Sequence, residues 1–164
     1  HQDRRAGPFG EPMLTVIVDK PHTALVIEAA SRVEVHPGHL ADDTPSPPWE
    51  TVREAALDAR SLAADGPAVH LYPTERTPLT PEITDYARLS FPPGRPILDA
   101  VAELNRRIHA EFRYDPGATE VSTPVAEAFA ARHGVCQDFA HIMITGLRGL
   151  GLPAAYVCGY LRTV

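Results

Sequence analysis

The apolar spacing between Pro96 and Leu150 constrains this chain more than any other feature. Ile97, Val101, Leu104, Ile108 and Phe112 recur at helical intervals over about four turns, with Glu103, Arg106, Arg107 and Glu111 on the other face. Asp115-Pro116-Gly117 ends that segment as a turn. Thr123-Pro124 starts a second helix with Val125, Ala128 and Phe129 on one side, and Gly134 is expected to close it as a C-cap. A third helix follows at once. Its buried stripe is Phe139, Ile142, Met143, Leu147 and Leu150, and Gly151 and Pro153 end it. Three amphipathic helices in close succession must bury their stripes against one another or against a sheet.

The rest of the chain reads differently. Leu14 to Val18 and Thr23 to Ala30 are rich in β-branched residues and flank the turn signal Asp19-Lys20-Pro21-His22, which predicts a hairpin. Ser31 to His36 continues the second run. A hairpin alone is marginal in water, so it should belong to a larger sheet. Thr44-Pro45-Ser46-Pro47-Pro48 cannot form a regular element. Thr51 to Ala64 has helical composition, and Thr80-Pro81 begins a short helix to about Leu89. Ala154 to Leu161 reads as a strand. The class is therefore α+β, with a β-rich part over 1–40, a proline-rich linker with short helices over 41–90, and the helical core with its first strand over 91–164.

Between the second and third core helices lies Gly134-Val135-Cys136-Gln137-Asp138-Phe139-Ala140-His141. The cysteine stands at the first turn of an amphipathic helix, directly after a glycine break. A helix start presents unpaired N–H groups and partial positive charge. It favours a thiolate, which is the nucleophilic form, and the same N–H groups can stabilise an oxyanion. From spacing alone, a small buried cysteine at a helix start explains the pattern as well.

This stretch resembles the nucleophile motif of the bacterial transglutaminase-like superfamily. Phe112-Arg113-Tyr114-Asp115 is similar to the family's segment before the nucleophile, Gly149-Leu150-Gly151-Leu152-Pro153-Ala154 to its turn into the sheet, and Val157-Cys158-Gly159-Tyr160 to its first sheet strand. Phe91-Pro92-Pro93-Gly94-Arg95-Pro96 and the strands of 14–35 resemble the linker and N-terminal β domain of many members. The resemblance implies a papain-like core with a Cys-His-Asp triad that attacks amide carbonyls through a thioester, hydrolysing them or transferring the acyl group to an amine. It places the nucleophile at Cys136. It places the histidine and aspartate on strands that follow Val164, so the chain is expected to be a central piece of a longer protein.

No histidine in hand replaces the expected base. His133 lies in the turn before Cys136 and reads as a helix-end residue. His141 is about 140° around the helix from Cys136 and is expected to pack in the core. His109 reads as structural. Asp138 is expected to accept first-turn N–H bonds, and Gln137 to flank the oxyanion side. Cys158, in an apolar strand, is expected to be buried and inert. Arg106 and Arg107 read as a solvated face, and Trp49 as a residue pinning the linker to the core.

Composition narrows the function further. The formal net charge of −6 argues against nucleic acid as the main partner. No apolar run approaches the ~20 residues that span a membrane. Two cysteines, Cys136 and Cys158, are too few for a disulfide scaffold, which gives a reducing, cytoplasmic compartment as the default. Nothing has metal-ligand spacing, and the expected chemistry needs no cofactor. The expected substrate is a peptide or protein amide. The alternative is a non-catalytic binding or scaffold module that keeps the same fold.

Overall fold

A computed structural model describes residues 2–7, 9–28, 30, 32–34 and 46–159. The chain is α+β, with five α-helices and two two-stranded sheets among the described residues. It divides into two compact units, residues 1–42 with 159–164 and residues 43–158.

In the first unit, β1 (Gln2–Ala6) pairs antiparallel with β2 (Pro12–Val16), Arg4 opposite Leu14 and Ala6 opposite Pro12. Gly10 turns the chain at φ 80°, a left-handed conformation that glycine adopts without cost. The Gly7 N–H donates to the Glu11 carbonyl at 2.7 Å and closes the loop. This corrects the expected hairpin. The pairing strand lies before Leu14–Val18 rather than after it, and 23–28 forms no regular element. The β-branched composition there only describes a residue that fits a pleated surface, and a ladder needs a partner. Val26 and Ile27 are each 81% exposed. Ala29, Ser31 and Val35-His36, parts of the same expected run, lie outside the described residues.

The second unit is built on α1 (Trp49–Leu57), a 3₁₀ turn (Pro67–His70), α2 (Pro81–Arg88), α3 (Ile97–Glu111), β3 (Arg113–Tyr114), α4 (Val125–Ala131), β4 (His133–Gly134) and α5 (Cys136–Gly149). The periodic residues go where their spacing sends them. Leu104, Ile108 and Phe112 of the first stripe are buried with Ile142, Leu147 and Leu150 of the other. Ile97, Val101, Phe139 and Met143 pack against that core from its edge. The stretch expected to be a linker contributes as much: α2 buries Ile83, Tyr86 and Ala87 in the same core. Its contact with α5 is close because α5 offers a glycine. A Cβ on Gly146 would stand 2.7 Å from the Ala87 Cβ. Trp49 pins the entry to this unit as expected, its indole N–H donating to the Pro92 carbonyl at 3.0 Å and its ring meeting the edge of Phe91.

Several local expectations are corrected. Arg107 is no solvated face residue. It donates to the Tyr86 carbonyl at 2.9 Å and the Ser90 hydroxyl at 3.0 Å, and its guanidinium lies 4.1 Å from the Tyr86 ring centroid. The long arginine stem lets a residue on the polar side of the stripe reach back across it. The C-cap of α4 is Arg132 at φ 57°, not Gly134. A left-handed arginine costs about 1–2 kcal/mol. Its guanidinium, 4.4–4.9 Å from the Phe129, Phe112 and Tyr86 ring centroids, offsets that through cation–π attraction. Finally, 154–159 is not a strand; Tyr160 and Leu161 lie outside the described residues. The segment is tied down by hydrogen bonds to its backbone at its start. The Ala154 N–H donates to the His70 carbonyl at 3.1 Å, and the Ala154 carbonyl accepts from the Arg148 guanidinium at 2.7 Å. Val157 beyond it is 86% exposed.

Candidate active site

The chain reaches the cysteine through a short parallel pairing. The Arg113 N–H donates to the Arg132 carbonyl and the Asp115 N–H to the Gly134 carbonyl, both at 2.9 Å. This ties the exit of α3 to the exit of α4 and aims residue 135 at the start of α5. Gly134 is buried there, and its missing side chain makes the site possible. A Cβ at this position would lie 2.6 Å from the nearer Asp138 carboxylate oxygen.

Asp138 itself is 2% exposed. One of its oxygens accepts the Val135 N–H at 2.8 Å and the Thr119 hydroxyl at 2.6 Å. Val135 is the N-cap and has no side-chain acceptor to offer. The carboxylate three residues on does the capping instead, which is the reciprocal half of a capping box. This corrects the expectation for Asp138: its carboxylate accepts the N–H of the N-cap residue, one before the cysteine, and not a first-turn N–H. The first intrahelical bond of α5 runs from the Phe139 N–H to the Val135 carbonyl at 3.2 Å. The N–H groups ahead of it, on Cys136, Gln137 and Asp138, are those a helix start leaves without an intrahelical partner.

Cys136 is a free, exposed thiol at the first helical position. It opens onto a cleft of about 430 Å³ between the first turn of α5 and the end of α3. Ile108, Phe112 and Phe139 line the cleft with apolar surface, and Asn105, His109 and Tyr114 supply polar groups. The Gln137 amide reaches the Val121 carbonyl at 3.4 Å, and Arg76 donates to the same carbonyl at 2.7 Å. With the Thr119–Asp138 bond, these contacts hold the loop of 115–123 against the start of α5.

The histidines separate clearly. His141 does not line the cleft; its ring lies 5.4 Å from that of Tyr156. Burial pushes its pKa below the ordinary histidine value; the nearby Asp138 carboxylate works against this and Arg76 adds to it. His133, in β4, is half-buried, and its Nδ1 has no hydrogen-bond partner among the described residues. His109, read from sequence as structural, is the histidine that shares the cleft with Cys136. Cys158 corrects its expectation too. It is exposed, because the strand that would have buried it is not formed by the described residues.

Residues 87–164 match the family model of the transglutaminase-like superfamily. This part of the chain belongs to that superfamily. The transglutaminase-like segment therefore contains α3 to α5 and the cysteine at their junction. Over 149 residues the chain is 42% identical to uncharacterized proteins of Mycobacterium bovis and Mycobacterium tuberculosis, covering 89% of this chain and 46% of theirs. Over 142 residues it is 30% identical to an uncharacterized protein of Mycobacterium leprae, covering 87% of this chain and 48% of that one. The chain thus spans about half the length of these relatives. Among solved structures, a candidate cysteine protease from Cytophaga hutchinsonii aligns with 52% of this chain and 29% of its own, at 26% identity and a TM-score of 0.47.

Sequence reading missed the supports of the candidate site. Thr119, Val121 and Arg76 sit in loops with no periodicity to mark them, and their roles come from chain crossing. Asn105 and His109 were visible as the polar edge of the α3 stripe. The spacing i, i+3, i+4, i+7 of Asn105, Ile108, His109 and Phe112 puts all four on one face, which was the available signal. Among the described residues, no group of three or more histidine, cysteine, aspartate or glutamate side chains could hold a metal ion, and no helix is long and apolar enough to cross a membrane.

Proposed function

We propose that the intact protein is a thiol enzyme acting on amide bonds of peptides or proteins, with Cys136 as its nucleophile. The observation that carries this reading is the exposed Cys136 thiol at the first turn of α5, open to a cleft. The sulfur attacks the amide carbonyl, and the developing oxyanion lies near the first-turn N–H groups of Cys136 and Gln137. The C–N bond then breaks, the amine leaves with a proton from the general acid, and a thioester remains. Water or a second amine attacks the thioester, giving a carboxylic acid or a new amide and freeing the thiol. The histidine that moves these protons, and the aspartate that orients it, are assigned to chain beyond Val164, as in the superfamily. Asp138 and Gln137 support the site: Asp138 fixes the backbone before the nucleophile, and Gln137 holds the flanking loop.

The test is alkylation of the full-length protein at neutral pH, followed by peptide mapping. Cys136 and Cys158 are both exposed, so their rates compare chemistry rather than access. Iodoacetamide should modify Cys136 at least about 10-fold faster, and Cys136→Ala should abolish amide turnover with the thermal midpoint nearly unchanged. Equal, slow labelling of both thiols would go against the enzyme and favour a non-catalytic module.

A further inference from the structure

Taking Cys136 as the nucleophile proposed above, we infer that the adjoining cleft selects a large apolar side chain, preferably aromatic, next to the scissile amide. The volume of about 430 Å³ lies within the range of sites that enclose small ligands. Its floor is apolar and fixed. Ile108 and Phe112 are buried in the core and contribute only their outer edges, and Phe139 packs beside them. The Phe112 and Phe139 rings stand edge to face at 5.9 Å, an arrangement that a third ring can extend.

The walls disfavour other occupants. Among the described residues no carboxylate, lysine or arginine lines the cleft, so a charged side chain seated on its apolar floor would lose water and gain no salt-bridge partner from those residue types. The polar groups are at its sides and are suited to the substrate backbone instead. The Asn105 amide can both donate and accept, and the Tyr114 hydroxyl, on a residue 61% exposed, can do the same. The thiol stands in the lining itself, so a group seated on the floor lies beside the reacting bond. Binding energy from such a side chain is available to hold the amide against the sulfur.

The inference can be tested without turnover. N-benzyl-2-chloroacetamide and N-methyl-2-chloroacetamide alkylate a thiol by the same step, in which the S–C bond forms and chloride leaves. The full-length protein is treated with each, and labelling is followed separately at Cys136 and Cys158. We expect saturable labelling of Cys136 by the benzyl reagent, with kinact/KI about 10-fold or more above the methyl reagent, and no such preference at Cys158. Asn105→Trp, on the exposed side of α3, should fill the mouth and reduce the preference at Cys136 to that at Cys158. Tyr114→Ala, which removes an exposed wall, should weaken it without changing the circular dichroism. Equal reagent ratios at the two cysteines, or a preference that survives Asn105→Trp, would overturn the inference. Fast Cys136 labelling without a benzyl preference would overturn it too, while leaving the nucleophile assignment standing. A benzyl preference at a Cys136 no faster than Cys158 toward the methyl reagent would support the pocket and count against the nucleophile.

Discussion

Asp138→Asn isolates what the buried carboxylate does for the start of α5. The substitution keeps the size and removes the charge. In the native site one oxygen accepts both the Val135 N–H and the Thr119 hydroxyl. An asparagine oxygen in the same place still accepts both, but as a neutral group. Hydrogen bonds to charged groups contribute about 1.5–3 kcal/mol and neutral ones about 0.5–1.5, so two bonds lose roughly 2 kcal/mol together. Removing an anion from the first turn of a helix costs a further ~0.3–1 kcal/mol. The sum is about 2–3 kcal/mol, which for a protein of 150–250 residues or so lowers Tm by about 4–12 °C. Thr119→Val should cost a comparable ~1.5–3 kcal/mol, because a buried carboxylate loses its hydroxyl donor. The double variant should cost less than the two singles added, by about 1 kcal/mol, since both act on one bond. Differential scanning calorimetry of the four proteins completes the cycle. A drop below about 2 °C for Asp138→Asn, or strict additivity, would refute the account of this carboxylate as the cap of α5.

Other substitutions probe neighbouring parts. Gly134→Ala should destabilise by about 1–3 kcal/mol through its clash with Asp138, and its cost should shrink in an Asp138→Ser background; an unchanged cost there, by thermal melts, would contradict the geometry. Arg132→Gly relieves the left-handed strain but loses the contacts with three rings, so a net loss of about 1 kcal/mol is expected, and a more stable variant would show that the rings contribute little. His109→Ala should change kcat/KM by less than about 10-fold, whereas a drop of about 10²–10⁴ would make His109 the general base and move the triad into this chain. His141 should make the protein less stable in mild acid. Its folded pKa lies below the unfolded value, so as pH falls below about 6.5 the unfolded chain takes up the proton first, and stability declines until the folded form protonates too. His141→Gln should flatten that part of the Tm–pH curve; an unchanged curve would mean another group sets it.

How much of this was legible in the sequence depends on where each residue's information is stored. The α3 and α5 stripes were readable because Leu104, Ile108, Ile142 and Leu147 repeat a local geometry, and a 3.6-residue period does not depend on the partner. The cysteine at a helix start was readable for the same reason: Gly134 and the apolar run after Phe139 bracket it within one turn. Strands carry no such guarantee. Thr23–Ala30 and Ala154–Leu161 have strand composition, yet a strand exists only when another backbone pairs with it. In the first unit the pairing went to Gln2–Ala6 and Pro12–Val16. The error at Cys158 descends directly from that one. The cap was half legible. Asp138 at the third helical position announced itself, but its partner Thr119 lies 19 residues away in a loop. Arg107 and Arg132 show the remaining limit. Both are charged residues at positions a periodic reading sends to solvent, and both turn back over aromatic rings. Only the packing of α2, α3 and α4 brings Tyr86, Phe112 and Phe129 together for them to cover. The same convergence decides the cleft beside Cys136, because α3 contributes Asn105, Ile108 and His109 to a site whose proposed nucleophile lies on α5. The cysteine at the helix start was therefore written locally, and the cleft beside it was written in the crossing of two helices.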